Sequence, residues 1–289
     1  MENTHPELDT LVRAIRATPK YAMVAPDVLR HIGAQELAKG RGLKESIKAT
    51  RNKLHQVGGA YLDRRVPYAQ WGADLQSALQ QGGIDALRPL CSRLMSLHAS
   101  TRERLPILDA FYADIFRALP PIHSVLDLAC GFNPLALPWM PLAPGAHYTA
   151  VDIYTDLMAF LHDFIGLCAY NGEAIAHSVL DVPFTQAVST TRHYDLVLLL
   201  KAIPCLEQVD KTAGEQLLTH IQADHILVSF PSHSLGGRSK GMTAHYEAHF
   251  HDLIMSKGFR IQKFTYSSEL AFLISRSANH SVNGVIKPQ

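Results

Sequence analysis

The chain has 289 residues, 47% of them apolar and 18% charged, with 16 histidines and a formal net charge of +1. That length suits one domain with an appendage, or two small domains able to bury a core. No run approaches the roughly 18 to 20 consecutive apolar residues of a membrane span. The polar, acidic N-terminus MENTHPELDT lacks a signal peptide's basic-then-apolar order, so a cytoplasmic protein is expected. Cys91, Cys130, Cys168 and Cys205 form no CxxC pair, which argues against a disulfide framework or a cysteine-ligated zinc.

In chain order, amphipathic periodicity predicts helices at Pro6–Ile15, Pro26–Leu37, Leu43–His55, Leu75–Gln80 and Ile84–His98, punctuated by Gly40, Gly42, Gly58 and Gly59. Charge divides the chain after Leu105. Residues 1–105 carry 16 Lys and Arg against 10 Asp and Glu, or +6; the remainder carries 11 against 16, or −5. The basic excess lies between Arg30 and Arg65 and points either to an anionic partner or to a solvated helix face. From Pro120 onward, β-type runs alternate with helix-like stretches. Strands are expected at Ser124–Ala129, His147–Ile153, Ile175–Leu180, Tyr194–Lys201, His225–Phe230, Phe259–Tyr266 and Leu270–Arg276. DLVLLL and HILVSF are apolar on both faces, as central strands covered by helices are. Only Ser267, Ser268 and Glu269 separate the last two runs, so the final strand returns antiparallel. The expected architecture is a Rossmann-like α/β domain, residues 106–289, with a C-terminal antiparallel hairpin, preceded by a helical domain over residues 1–105.

The stretch SVLDLACGFNP, Ser124 to Pro134, runs from strand into turn. Gly131 lets the backbone bend and a ligand approach. Asp127 either holds the turn or accepts from a cofactor ammonium. The dinucleotide pattern GxGxxG is absent, and Pro134 follows at once. Twenty-five residues on, Asp152 ends the second strand, where a carboxylate reaches a ribose diol. Asp181 is expected to close the third strand, accepting from an adenine amino group while Val182 packs on the ring. Ala129 and Ile153 complete the expected pocket. Three acids at successive strand ends indicate a nucleoside cofactor, S-adenosylmethionine.

Several longer motifs make the chain resemble the aminoglycoside-resistance 16S ribosomal RNA methyltransferases that modify guanine N7. They are KLHQVGGAY (Lys53–Tyr61), HASTRER (His98–Arg104), DLACGFNPLALPWM (Asp127–Met140), KAIPCLEQ (Lys201–Gln208) and SFPSHSLGGRSKGM (Ser229–Met242). The resemblance implies methylation of guanine 1405 on an assembled small (30S) subunit, at the decoding site, with resistance to aminoglycosides. It implies that Arg104 binds the methionine carboxylate, that Lys20, Arg51, Lys53 and His55 grip rRNA, and that Lys201, Arg238 and Met242 lie near the target nucleotide. At His233 some relatives are expected to carry Lys, so a phosphate contact there is weaker or pH-dependent.

Guanine N7 has an in-plane lone pair and no proton at neutral pH, so its methylation requires no general base, and no catalytic acid or base is assigned. Turning the base out of its stack costs roughly a few kcal/mol, which backbone contacts by the basic segment offset. His245, Glu247 and His249 invite a zinc reading. The glutamate is misplaced for HExxH, however, and no third ligand suggests itself, so no metal is expected. Cys205 reads as packing. Competing readings are methylation of a neighbouring decoding-site adenine at N1, a small-molecule methyltransferase, and an RNA-binding protein with a relict fold. The basic excess disfavours the second and the retained acids disfavour the third. A monomer is expected.

Overall fold

The computed structural model describes residues 6–59, 66–232, 241–255 and 257–276. The chain opens with α1 (Pro6–Arg16), α2 (Pro26–Leu37) and α3 (Leu43–Leu54), and α3 runs into a π-helical turn at His55–Gly59. Their apolar stripes meet in a core of their own. Leu11, Ile15, Val28, Leu29, Ile32 and Leu54 fill it, together with Val209 from the distant part of the chain.

Four more helices precede the sheet: α4 (Tyr68–Gly82), α5 (Arg88–Met95), α6 (Ala99–Arg104) and α7 (Leu108–Arg117). The helix expected over Ile84–His98 is broken into a 3-10 turn, Ile84–Leu87, and α5. Pro89 sits in the first turn of α5, where its missing N–H does no harm. Leu75–Gln80 lies in the second half of the longer α4. Val66, Leu75, Leu87, Cys91 and Met95 pack into the same core as Val125, Ala150 and Leu198 of the sheet. Hydrophobic packing therefore groups residues 66–105 with the sheet, whereas charge groups them with the bundle.

The sheet contains β1 (Ser124–Leu128), β2 (His147–Asp152), β3 (Asn171–Ala176), β4 (Tyr194–Leu200), β5 (Ala223–Pro231), β6 (Phe259–Thr265) and β7 (Glu269–Arg276), in the order β3-β2-β1-β4-β5-β7-β6. The first five are parallel, while β7 runs antiparallel to both β5 and β6. The mixed sheet and C-terminal hairpin thus agree with the sequence. Helices α8 (Thr155–Leu167), α9 (Val182–Thr191), α10 (Ile203–Leu206), α11 (Ala213–His220) and α12 (Met242–Ile254) cover it. Among the described residues no helix is long and apolar enough to cross a membrane. Cys91, Cys130 and Cys168 are buried free thiols and Cys205 is half-buried.

One strand is displaced. The third lies at Asn171–Ala176, not Ile175–Leu180, with its register closing at Asp152↔Ala176. Beyond it the backbone turns to the bundle, where the Ser178 N–H donates to Asp27 Oδ2 at 3.1 Å. The run SVL forms no strand: Val179 packs into the core beside the sheet and Leu180 against the bundle.

Candidate active site

Strand order reverses between β1, whose neighbours are β2 and β4, and the strands beyond, so the crevice at their carboxyl ends is the topological switch point where open α/β sheets bind ligands. Both central strands end in strained backbone: Ala129 has φ 52° and Lys201 φ 57°. After β1 the Cys130 N–H donates to Val151 O at 3.0 Å, tying the turn to β2. Gly131, at φ 50°, donates its N–H to Asp152 Oδ2 at 2.8 Å, while Asp152 Oδ1 accepts from the Ile153 N–H at 2.7 Å. Burial pushes the Asp152 carboxyl up, against these backbone donors.

Two cavities open here. The larger is lined by Arg104, Ala129, Gly131, Asp152, Tyr154 and Lys201, among others. The smaller shares Ala129 and Asp152 and is lined by Val28, Ile32, Ile153, Val179, Leu180 and Leu206. The first is the more polar of the two and includes Gly58 and Gly131 in its lining; the second is mainly apolar.

A continuous polar chain runs beneath the larger cavity. Arg104, 1% exposed, donates from Nε and Nη2 to the two carboxylate oxygens of Glu269 at 2.9 and 2.7 Å, and from Nη1 to Asn133 Oδ1 at 2.8 Å. Tyr112 Oη also donates to Asn133 Oδ1, at 2.6 Å. The Asn133 amide donates to Asp127 Oδ2 at 2.9 Å, and Tyr148 Oη donates to the same oxygen at 2.7 Å. At the other end Lys201 Nζ lies 2.8 Å from Glu103 and 3.4 Å from Glu269. Burial alone would raise the Glu269 carboxyl, but Arg104 and Lys201 hold it below its ordinary value. Asp127 Oδ1 is buried and accepts no hydrogen bond among the described residues.

The structure gathers Arg104, Ala129, Gly131, Asp152, Ile153 and Lys201 around the two cavities, with Asp127 buried behind them and joined to the lining through Asn133. Asp181 is placed differently from the sequence reading. It ends no strand but caps α9, accepting from the Phe184 N–H at 3.3 Å and lying 3.1 Å from His177 Nε2. Burial would raise its carboxyl, and these contacts hold it below the ordinary value. Val182 is the first residue of α9, and His177, Val179 and Leu180 line the smaller cavity where Asp181 and Val182 were expected. Met242 opens α12, half-buried; Arg238 and His233 lie outside the described residues.

The basic residues divide. Lys20 and His55 are exposed, with Lys20 Nζ 3.0 Å from His55 Nδ1. Arg51 instead donates to Ala14 O and Thr18 Oγ1, both at 2.9 Å. Lys53 donates to Val209 O at 3.1 Å and pairs with buried Glu36 at 3.2 Å. The histidines of α12 do not converge: His249 pairs with Glu207 at 2.8 Å and Glu247 with Lys263 at 2.6 Å. Among the described residues no His, Cys, Asp and Glu group could hold a metal ion.

Sequence reasoning missed Glu269, Asn133, Tyr148 and His177. Glu269 left one legible trace, as the single acid opening the otherwise apolar strand ELAFLIS.

A family model described as "Ribosomal RNA methyltransferase (FmrO)" matches residues 17–273, which takes in α2 and α3 of the bundle, the crevice and most of the hairpin. The chain belongs to the FmrO family. A 16S rRNA (guanine(1405)-N(7))-methyltransferase of Micromonospora rosea is 37% identical over 271 residues, covering 93% of this chain and 97% of that protein. Its namesake from Micromonospora echinospora is also 37% identical, covering 96% and 100%. The crystal structure of the 16S rRNA methyltransferase RmtF with S-adenosyl-L-homocysteine superposes with a TM-score of 0.77, at 28% identity, over 95% of this chain and 100% of that one.

In this FmrO-family crevice Gly131 tolerates a side chain poorly, since its backbone is left-handed and the space beside it is filled. A Cβ there would lie 3.0 Å from His98 Cε1, and the left-handed backbone adds roughly 1–2 kcal/mol. Gly131→Ala is expected to weaken S-adenosylhomocysteine binding about tenfold in isothermal titration calorimetry. Wild-type affinity would show that the turn does not approach the ligand.

Proposed function

We propose that the chain transfers the methyl group of S-adenosylmethionine to N7 of guanine 1405 in 16S rRNA, at the decoding site of the assembled small ribosomal subunit, and so confers aminoglycoside resistance. The observation that carries this reading is the 37% identity, over nearly the whole of both chains, to relatives named for that reaction. The enzyme is an S-adenosylmethionine-dependent methyltransferase, and the residues present suit that cofactor. A guanidinium has five N–H donors. Glu269 and Asn133 take three from Arg104, leaving two for a methionine carboxylate in the cavity that Arg104 lines. The orphaned Asp127 Oδ1 suits an ammonium, Asp152 at the junction of the cavities suits a ribose diol, and the apolar smaller cavity suits an adenine ring.

The bound cofactor supplies a methyl group on an electron-poor sulfonium. The chain's own residues supply position. Because N7 presents a lone pair and no proton, no residue has to remove one, and acceleration comes from orientation and exclusion of water. Lys201, Arg238 and Met242 flank the target guanine in this reading, with Lys201 anchored from the cavity floor by its two carboxylates. Residues 1–105 dock on rRNA through Lys20, Arg51, Lys53 and His55, with His233 beyond them, and residues 106–289 bind the cofactor together with Arg104 at the junction. Asp181 and Val182 contribute to the adenine site by fixing His177 and the segment before α9. The protein acts as a monomer in the cytoplasm, where its subunit substrate resides.

The test is transfer of labelled methyl to purified substrates. Intact small subunits should be labelled at guanine 1405, naked rRNA far less. Label on the neighbouring adenine, or equal labelling of both substrates, would overturn the reading.

A further inference from the structure

The outer wall of the smaller cavity belongs to the N-terminal bundle. Val28 and Ile32 of α2 face Val179, Leu180 and Leu206 across it. A ring of polar contacts fastens that wall. The Ala25 N–H donates to Ile153 O at 2.8 Å, and the Thr155 N–H to Met23 O at 2.8 Å. Asp27 Oδ2 accepts from the Ser178 N–H and lies 3.1 Å from His177 Nδ1, while the other ring nitrogen of His177 lies 3.1 Å from Asp181. The imidazole also packs on Phe184, with ring centroids 3.8 Å apart. His177 is thus a bridge between α2 and the cap of α9, and it lines the cavity itself.

We propose that Asp27 and His177 are positioning residues that seat α2 as part of the cofactor site, so that cofactor occupancy and docking of the small subunit strengthen each other. The inference rests on reading the two cavities as the cofactor site and the bundle as the rRNA-docking body. A ligand that fills the smaller cavity touches both α2 and the sheet, so it favours the arrangement in which the bundle is seated. A subunit that grips the seated bundle favours the closed cavity. Linkage requires the two effects to be equal in size.

The experiment measures two affinities on the full chain: S-adenosylhomocysteine by calorimetry, and small subunits with and without saturating S-adenosylhomocysteine. The variants are Asp27→Asn, His177→Gln and their double mutant, with Ile32→Val as a milder change in the wall. Asp9→Ala, which removes an exposed ion pair to Arg30 in the same bundle, serves as the control. Wild type and Asp9→Ala are expected to bind subunits at least about fivefold more tightly with S-adenosylhomocysteine present. Asp27→Asn and His177→Gln should each bind S-adenosylhomocysteine about fivefold to tenfold more weakly, and the double mutant no more weakly than the worse single, because one bridge is broken either way. In these variants the ratio of the two subunit affinities should fall toward one. Ile32→Val, which keeps the fold, should lose a smaller part of both effects. An undiminished ratio in the bridge variants, or no ratio in wild type, overturns the coupling. Failure of wild type to bind S-adenosylhomocysteine at all overturns instead the reading of the site.

Discussion

Glu269→Ala is expected to lower the stability of the protein by about 3–5 kcal/mol in urea unfolding, among the largest effects available to a single substitution here. The carboxylate is fully buried, accepts from both Arg104 nitrogens, from Ser229 Oγ at 2.5 Å, and faces Lys201. Truncation leaves a guanidinium and an ammonium sealed in the interior without that counter-charge. Arg117→Ala, which breaks an exposed pair with Asp114, should change little. The pH dependence follows from the lowered carboxyl. Its stabilisation is present above the ordinary value of 4.5 and is lost as pH falls through the lower folded value. Wild type should therefore lose stability more steeply than Glu269→Gln as pH is lowered from 4.5 through that window. Removing both charges, in Arg104→Met with Glu269→Met, should restore part of the stability but not cofactor binding, because the carboxylate ligand's partner is gone. A Glu269→Ala protein within about 1 kcal/mol of wild type would show that the ion pair does not hold the crevice floor.

The crevice was legible where its chemistry is local. The strand, glycine and acid of SVLDLACGFNP lie within eleven residues, and the turn they encode forms as read, with Gly131 left-handed and bonded to Asp152. The third strand was not legible because β3 begins with the polar run NGE, while the more apolar SVL is held by the core beside the sheet, by the bundle and by Asp27. Asp181 was misplaced for the same reason. An aspartate before Val-Pro is a natural N-cap, and that local role wins once the strand ends at Ala176. Arg104 entered through the resemblance alone, since its partner Glu269 is 165 residues away and no local pattern joins them. Composition identified a basic bundle, but it could not distinguish exposed Lys20 from Arg51 and Lys53, whose donors turn inward. Such distinctions depend on which carbonyls and carboxylates the fold brings beside each cation.

Asp127→Asn is expected to raise stability at pH 8 while weakening cofactor binding more than tenfold, an opposition that separates a site residue from a scaffold residue. Asp127 is 1% exposed, and burial pushes its carboxyl up to about 6 against the opposing hydrogen bonds from Tyr148 and Asn133. For an acid raised in the folded state, its favourable contribution is complete below the unfolded value near 3.8 and is lost as pH rises through about 6. A two-unit displacement corresponds to roughly 3 kcal/mol, so at pH 8 the fold carries a burden of that order from one buried charge. Asparagine keeps an oxygen for Tyr148 and Asn133 and replaces the orphaned Oδ1 with a neutral amide, whose own unmet donors return about 1 kcal/mol of the loss. The net gain, about 1–2 kcal/mol at pH 8, should shrink toward zero near pH 5, where wild-type Asp127 is largely neutral. The cofactor's ammonium would lose its charged acceptor at every pH above 6. Urea unfolding at the two pH values, beside calorimetry with S-adenosylhomocysteine, reads both effects on one protein. Lower stability at pH 8 would mean that the charge belongs to the scaffold, and unchanged affinity would mean that the orphaned oxygen has no ligand to meet.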